Sequence, residues 1–252
     1  MRWRPALFLF LSLGVILAVF LADPVAQDLN YHLFADRSAL LGVPNFLNVA
    51  SNLPFLLVGV LGLRLVYCDP ETSTPETRTA WLIFFFSIAL TAFGSAYFHL
   101  EPNNSTLFWD RLPMTIGFMS LISIIIAEYV SPIIGRRLLL PLLFVGMGSV
   151  VYWAHTESLG RGDLRAYALV QFLPMLLIPM IIILNRKRSD LGLYLWWLII
   201  FYVAAKLAEQ LDYGLYATVN IMSGHTLKHL LASLAPASLL YGLMQRRERK
   251  TP

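Results

Sequence analysis

Two histidines four residues apart, His225 and His229 in SGHTLKHL, open the last apolar stretch of the chain, and a third, His99, closes an earlier one in GSAYFHL. Ser95 stands four residues before His99, and Asp110 follows it at the head of the next apolar run. Ionisable and metal-binding side chains at membrane depth are costly, so by default they point to function. Imidazole nitrogens suit zinc, and a catalytic zinc site takes three protein ligands while keeping one position open for water. Spacing of i, i+4 projects His225 and His229 from one helical face, and His99 could supply the third nitrogen from a neighbouring helix. Zinc brings the pKa of its water down to about 7. Asp110 could take and return a proton, and Ser95 could donate to the oxyanion of a tetrahedral intermediate. Iron or another ion fits the same ligand types.

Each residue also has a plainer reading. A single membrane histidine commonly sits at an interface or bonds a neighbouring helix. A membrane serine usually bonds its own backbone, and Asp110 could be an N-terminal charge facing the helix dipole. The elements that carry the residues decide whether they can meet.

Of the 252 residues, 58% are hydrophobic and 13% charged, with a mean hydropathy of +0.66. A soluble domain carries about twice that charge, so the chain reads as an all-α integral membrane protein. Strand alternation is absent, which excludes a membrane barrel. The single cysteine, Cys68, excludes an internal disulfide. Eight apolar segments are expected, at 5–22, 46–67, 80–99, 111–130, 138–154, 166–184, 191–211 and 225–244. The links between them carry Pro, Gly and Asp, as in DPETSTPETR and NRKRSD. Residues 1–22 read as a signal-anchor or additional transmembrane helix, uncleaved because no A-x-A site follows. Residues 23–252 then form the seven-helix domain.

With the N-terminus in the cytoplasm, 13 of the 19 Lys and Arg fall on that side, including Arg2, Arg186, Lys187 and Arg188, and only four on the other. The positive-inside rule therefore predicts both termini cytoplasmic, and the basic tail RRERK reads as a topology signal rather than a nucleic-acid patch. Parity then brings His99, Asp110, His225 and His229 to the extracytoplasmic face, with Ser95 one turn below His99. Three separate segments agree on one side.

GSAYFH at 94–99, WDRLPM at 109–114 and HTLKH at 225–229 resemble the S-x3-H, D and H-x3-H motifs of the alkaline ceramidase family. NFLNVASNLPF at 45–55 resembles the start of that family's first core helix. The family belongs to a wider seven-helix membrane superfamily that includes the progestin/adiponectin receptors and GPI-remodelling proteins. The resemblance implies a seven-transmembrane bundle of alkaline ceramidase/adiponectin-receptor type, with the 5–22 segment added before it. It implies zinc held by His99, His225 and His229, with Ser95 and Asp110 around the activated water. The implied reaction is hydrolysis of the amide of a ceramide-like lipid, taken from the bilayer, to a sphingoid base and a fatty acid. The family's calcium site would draw on the segment before the first core helix. Here Asp28, Asn30 and Asp36 depart from its spacing, and Asn45 stands where the pattern favours an acid. Calcium is the weaker expectation, and Asp28 and Asp36 are read as capping or tethering the loop over the site.

The alternatives are a zinc hydrolase of phospholipid or GPI-type esters, a lipid-binding receptor, and a transporter with Lys206, Glu209 and Asp212 along a proton path. The preferred reading of those three is an ion-pair ladder on one helical face, with Lys228 directed away from the histidines toward Glu209 or Asp212. His32 and His155 read as interfacial or pocket-lining, and Trp81, Trp109, Trp153, Trp196 and Trp197 as interface anchors. Asn103 and Asn104 form overlapping sequons. Oligomeric state is not legible.

Overall fold

The computed structural model describes residues 3–185 and 189–250. Arg2, Arg186, Lys187 and Arg188, which enter the charge asymmetry, lie outside the described residues. Among the described residues seven helices are long and apolar enough to cross a membrane, and there is no strand. The protein is an all-α seven-transmembrane bundle.

Its helices are α1 (Trp3–Leu21), α2 (Phe46–Ala50), α3 (Leu53–Cys68), α4 (Pro75–Leu100), α5 (Asn104–Tyr129), α6 (Pro132–Ser158), α7 (Arg165–Leu184), α8 (Gly192–Gln210), α9 (Asp212–Val219) and α10 (Gly224–Lys250). The seven spans are α2–α3 together, α4, α5, α6, α7, α8 and α10, and apolar α1 packs along α7. Helix α5 is the most enclosed, lying against α4, α6 and α7, while α10 packs on α8 and α3.

Several helices begin earlier than their apolar runs. Thr74 and Thr77 form a capping box that starts α4 at Pro75 rather than at 80. Asn103 accepts from the amides of Ser105 and Thr106, which starts α5 at Asn104 rather than at 111. That cap also gives the sequon asparagine Asn103 a structural task. Proline at N1 starts α6 at Pro132. Polar caps are invisible to an apolar window, so the expected starts fell late.

The 46–67 segment is two helices, broken at Ser51 and Asn52. Pro54 lacks the N–H that would bond the Ala50 carbonyl, which favours an interruption there. The segment read as 191–211 ends at Gln210 and is followed by the unexpected short helix α9. Trp81 and Trp153 are both 0% exposed, so they are core residues rather than interface anchors. Trp109, Trp196 and Trp197 do face outward.

Candidate active site

Helices alternate direction, so the C-terminal end of α4 and the N-terminal ends of α5 and α10 meet at one end of the bundle. There His99, His225 and His229 are all buried. Their ring centroids lie 4.8 to 5.0 Å apart, at the corners of a near-equilateral triangle. Each can offer one nitrogen so that the three lie within 4.8 Å of one another. The Nε2 atoms of His99 and His229 are 3.2 Å apart. Two nitrogens bound tetrahedrally to zinc at 2.0–2.1 Å would be separated by about 3.3 Å, so this donor pair fits the ion.

Neighbours orient the rings. Ser51 Oγ donates to the Asn48 carbonyl at 3.1 Å and lies 2.8 Å from His229 Nδ1. Its proton being used, Ser51 accepts from Nδ1–H, which leaves the Nε2 lone pair facing His99. Asn48 in turn accepts from Thr226 Oγ1 at 2.8 Å, tying α2 to α10. Asp212 accepts from the His225 amide at 2.7 Å and from the Ala35 amide at 2.9 Å. It thus fixes both the start of α10 and the loop above it. Asn45 donates to the His99 carbonyl at 2.8 Å from a left-handed backbone conformation. Phe34 packs 4.7 Å from the His99 and His225 rings and screens the cluster. Asp28 caps the turn Leu29–His32, and Asp36 accepts from the Ser38 amide, so both organise the loop.

Ser95 and Asp110 come together because α4 and α5 touch at Gly94. A Cβ there would collide with the Trp109 carbonyl oxygen, so only glycine lets the backbones approach this closely. Ser95 and Asp110, both buried, then line the same cavity. Asp110 does not open its helix as expected. It sits nearly two turns inside α5, buried, where it cannot serve as an N-terminal dipole charge.

Ser95, Asp110 and His229 line one end of a cavity of ≈ 230 Å³. Arg111, Lys206, Glu209 and Lys228 also line it, and much of the rest is apolar, including Phe84, Ile88, Phe118 and Leu198. Such a space takes a molecule with a polar head and a hydrocarbon tail.

The ladder of Lys206, Glu209 and Asp212 is only half present. Glu209 pairs with Lys206 at 2.7 Å and with Lys228 at 3.0 Å. Asp212 lies beyond the end of α8 and caps α10 instead. Lys228 reaches Glu209 as read, but it does not turn from the histidines, since its Nζ is 2.9 Å from His225 Nε2. Tyr31, from the loop, donates to Glu209 at 3.1 Å, and burial holds its hydroxyl well above its usual pKa. His32 bonds Asn104 at 2.8 Å, and His155 is exposed. Neither lines the cavity.

A family description, Ceramidase, matches residues 41–240. The chain belongs to the ceramidase family. That membership makes it a membrane hydrolase of lipid amides, and the match spans the three histidines, Ser95 and Asp110. Among curated proteins no match was found. Ser51, Asn48 and Asn45 fall inside the stretch whose resemblance was noted, but their contacts carry no sequence signature. Phe34 precedes the matched region, in a loop without periodicity.

Proposed function

We propose that this ceramidase-family protein is a zinc-dependent hydrolase that cleaves the amide of ceramide-like lipids to a sphingoid base and a fatty acid. A cluster of three buried imidazoles, one of which, His229, lines a largely apolar cavity, supports the reading most directly. His99, His225 and His229 would hold the ion. Bound there, zinc supplies Lewis acidity and activates water for attack. Asp110 takes a proton from the attacking water on a carboxylate oxygen and returns it to the amide nitrogen as the C–N bond breaks. Ser95 Oγ donates to the carbonyl oxygen as negative charge develops there. Phe34 and the Tyr31–Glu209 contact hold the loop over the cluster and keep bulk water out. The apolar side chains of the cavity bind the hydrocarbon, so a substrate from the bilayer loses little hydrophobic stabilisation on entry.

In the same reading both termini are cytoplasmic, the site faces the extracytoplasmic side, and residues 1–22 form a helix added to the seven-helix domain of 23–252. Reporter fusions at each terminus test the orientation. Purified protein assayed for metal and offered fluorescent ceramides and phospholipids tests the chemistry. About one zinc per chain is expected, lost in His225→Ala together with ceramide turnover. Wild type that holds no zinc would refute the metal site, and turnover of esters alone would reassign the substrate class.

A further inference from the structure

One cation in the cavity is not neutralised by a side-chain ion pair. Arg111 is 6% exposed and lines the same space as Asp110 and Ser95. Its guanidinium carbon lies 4.3 Å from the Trp153 ring centroid and 4.6 Å from that of Tyr167. The aromatic rings thus hold the plane and leave the edge as the hydrogen-bonding surface. Nη2 donates to Gln27 Oε1 at 2.6 Å. Nη1 is buried with no acceptor among the described residues. A buried donor left unpaired is penalised, and more so when it is charged.

The surrounding charges do not supply what is missing. Lys206 and Lys228 share Glu209, and no ion pair among the described residues reaches Arg111. The cavity is lined by three cationic side chains, Arg111, Lys206 and Lys228, against two carboxylates, Asp110 and Glu209. The guanidinium edge matches a planar oxyanion.

We propose that Arg111 binds a carboxylate of the lipid at the polar end of the cavity, which deepens the hydrolase reading and rests on it. Two sources share this chemistry. One is the head group of an N-acyl amino acid. The other is the product, because the acyl carbon takes the hydroxyl of water, the nitrogen takes the hydrogen, and the released acid ionises.

The first test needs no turnover. Binding of palmitate is compared with that of hexadecanol, which has the same tail and no charge, to chelator-treated protein in detergent. Wild type is expected to favour palmitate by roughly tenfold or more, and Arg111→Gln to abolish the difference. Arg111→Lys keeps the charge without the planar fork and should retain only part of it. Equal binding of the two probes by wild type overturns the proposal without reliance on any variant. A preference that survives Arg111→Gln overturns it too, by placing the carboxylate elsewhere.

The second test separates the sources, using kcat/KM for N-palmitoylglycine against N-palmitoylethanolamine. If the head group is bound, that ratio falls about tenfold or more in Arg111→Gln. If the product is bound, the ratio is unchanged, while the inhibition constant of palmitate rises by a similar factor. Should wild type turn over no amide or ester at all, the hydrolase reading fails while the palmitate–hexadecanol comparison still decides the binding.

Discussion

Arg246 and Arg111 are buried to the same degree, each 6% exposed, at opposite ends of the bundle. Arg246, near the end of α10, is fully engaged. It donates to both oxygens of Glu128 at 2.8 and 3.0 Å, to Asp190 through Nε at 2.9 Å, and to Ser189 at 3.3 Å. Three segments meet on one planar group there, and geometry of that kind offsets the desolvation of the ions. Arg111 is held by aromatic rings and a single amide oxygen, with a donor to spare. The contrast extends to their neighbours. At the far end acids and base satisfy one another, whereas the near end gathers three imidazoles and, among the described residues, leaves His99 Nδ1 unpaired as well. Saturated polar groups fix helix positions. An unsaturated guanidinium that lines a cavity leaves a donor for something from outside the chain.

If that division is right, substitutions at the two ends fail in different ways. At the near end Asp110→Asn should lower kcat by about 10²–10⁴-fold with the melting temperature in detergent little changed. A comparably large fall in the melting temperature would make Asp110 a structural group and erase the contrast. At the far end Arg246→Ala should cost about 3–5 kcal/mol of stability, because it strands Glu128 in the bundle. Denaturant unfolding in detergent reads the loss, and kcat per folded molecule should stay near wild type. Loss of activity without loss of stability would show that the latch communicates with the site.

Much of the near end is legible in the sequence. Apolar length counts the spans, and alternating direction puts His99 and the His225–His229 pair at one end, because parity depends only on the number of crossings. What supports the cluster was not legible. Ser51 acts through a helix break, Asp212 through the start of a helix after an unforeseen short one, and Phe34 through an irregular loop. Each depends on where a backbone turns, and hydropathy does not report that. Asp212 was noticed for the wrong reason, since continuing α8 past Gln210 puts it on the face of Lys206 and Glu209. Arg111 was visible only as a basic residue on its predicted side and as one letter of the WDRLPM stretch. It packs against Trp153 and Tyr167, on the next two helices of the chain, and nothing local announces its burial.

A smaller effect tests how the cluster is held. Ser51→Ala removes the acceptor that fixes the His229 tautomer, and support of this kind is typically worth 10–100-fold in metal affinity. Competition with a chelator should show weaker zinc binding within that range. Unchanged affinity would mean that packing alone orients the ring.

The smallest expected effect comes from an acid at the near end that is as well satisfied as anything at the far end. Asp163, in the loop between α6 and α7, pairs with Arg165 at 2.8 Å, accepts from Tyr152 at 2.9 Å and caps the start of α7. Hydrogen bonds from Arg165 hold its pKa down to about 2, below the ordinary carboxylate value near 3.9. A folded-state pKa below the unfolded one means that the native state binds the proton less readily. The stability it contributes is therefore complete above about pH 4 and is lost as pH falls through about 2. Asp163→Asn should melt below wild type at neutral pH by a margin on the order of 1 kcal/mol, the pair being partly open to solvent. That margin should shrink as the pH is lowered from 5 toward 2.5, while zinc content at neutral pH is unaltered. A margin that ignores pH would assign the effect to the shape of the cap rather than to the charge. Satisfied polar groups would then act alike at both ends, whatever their ionisation.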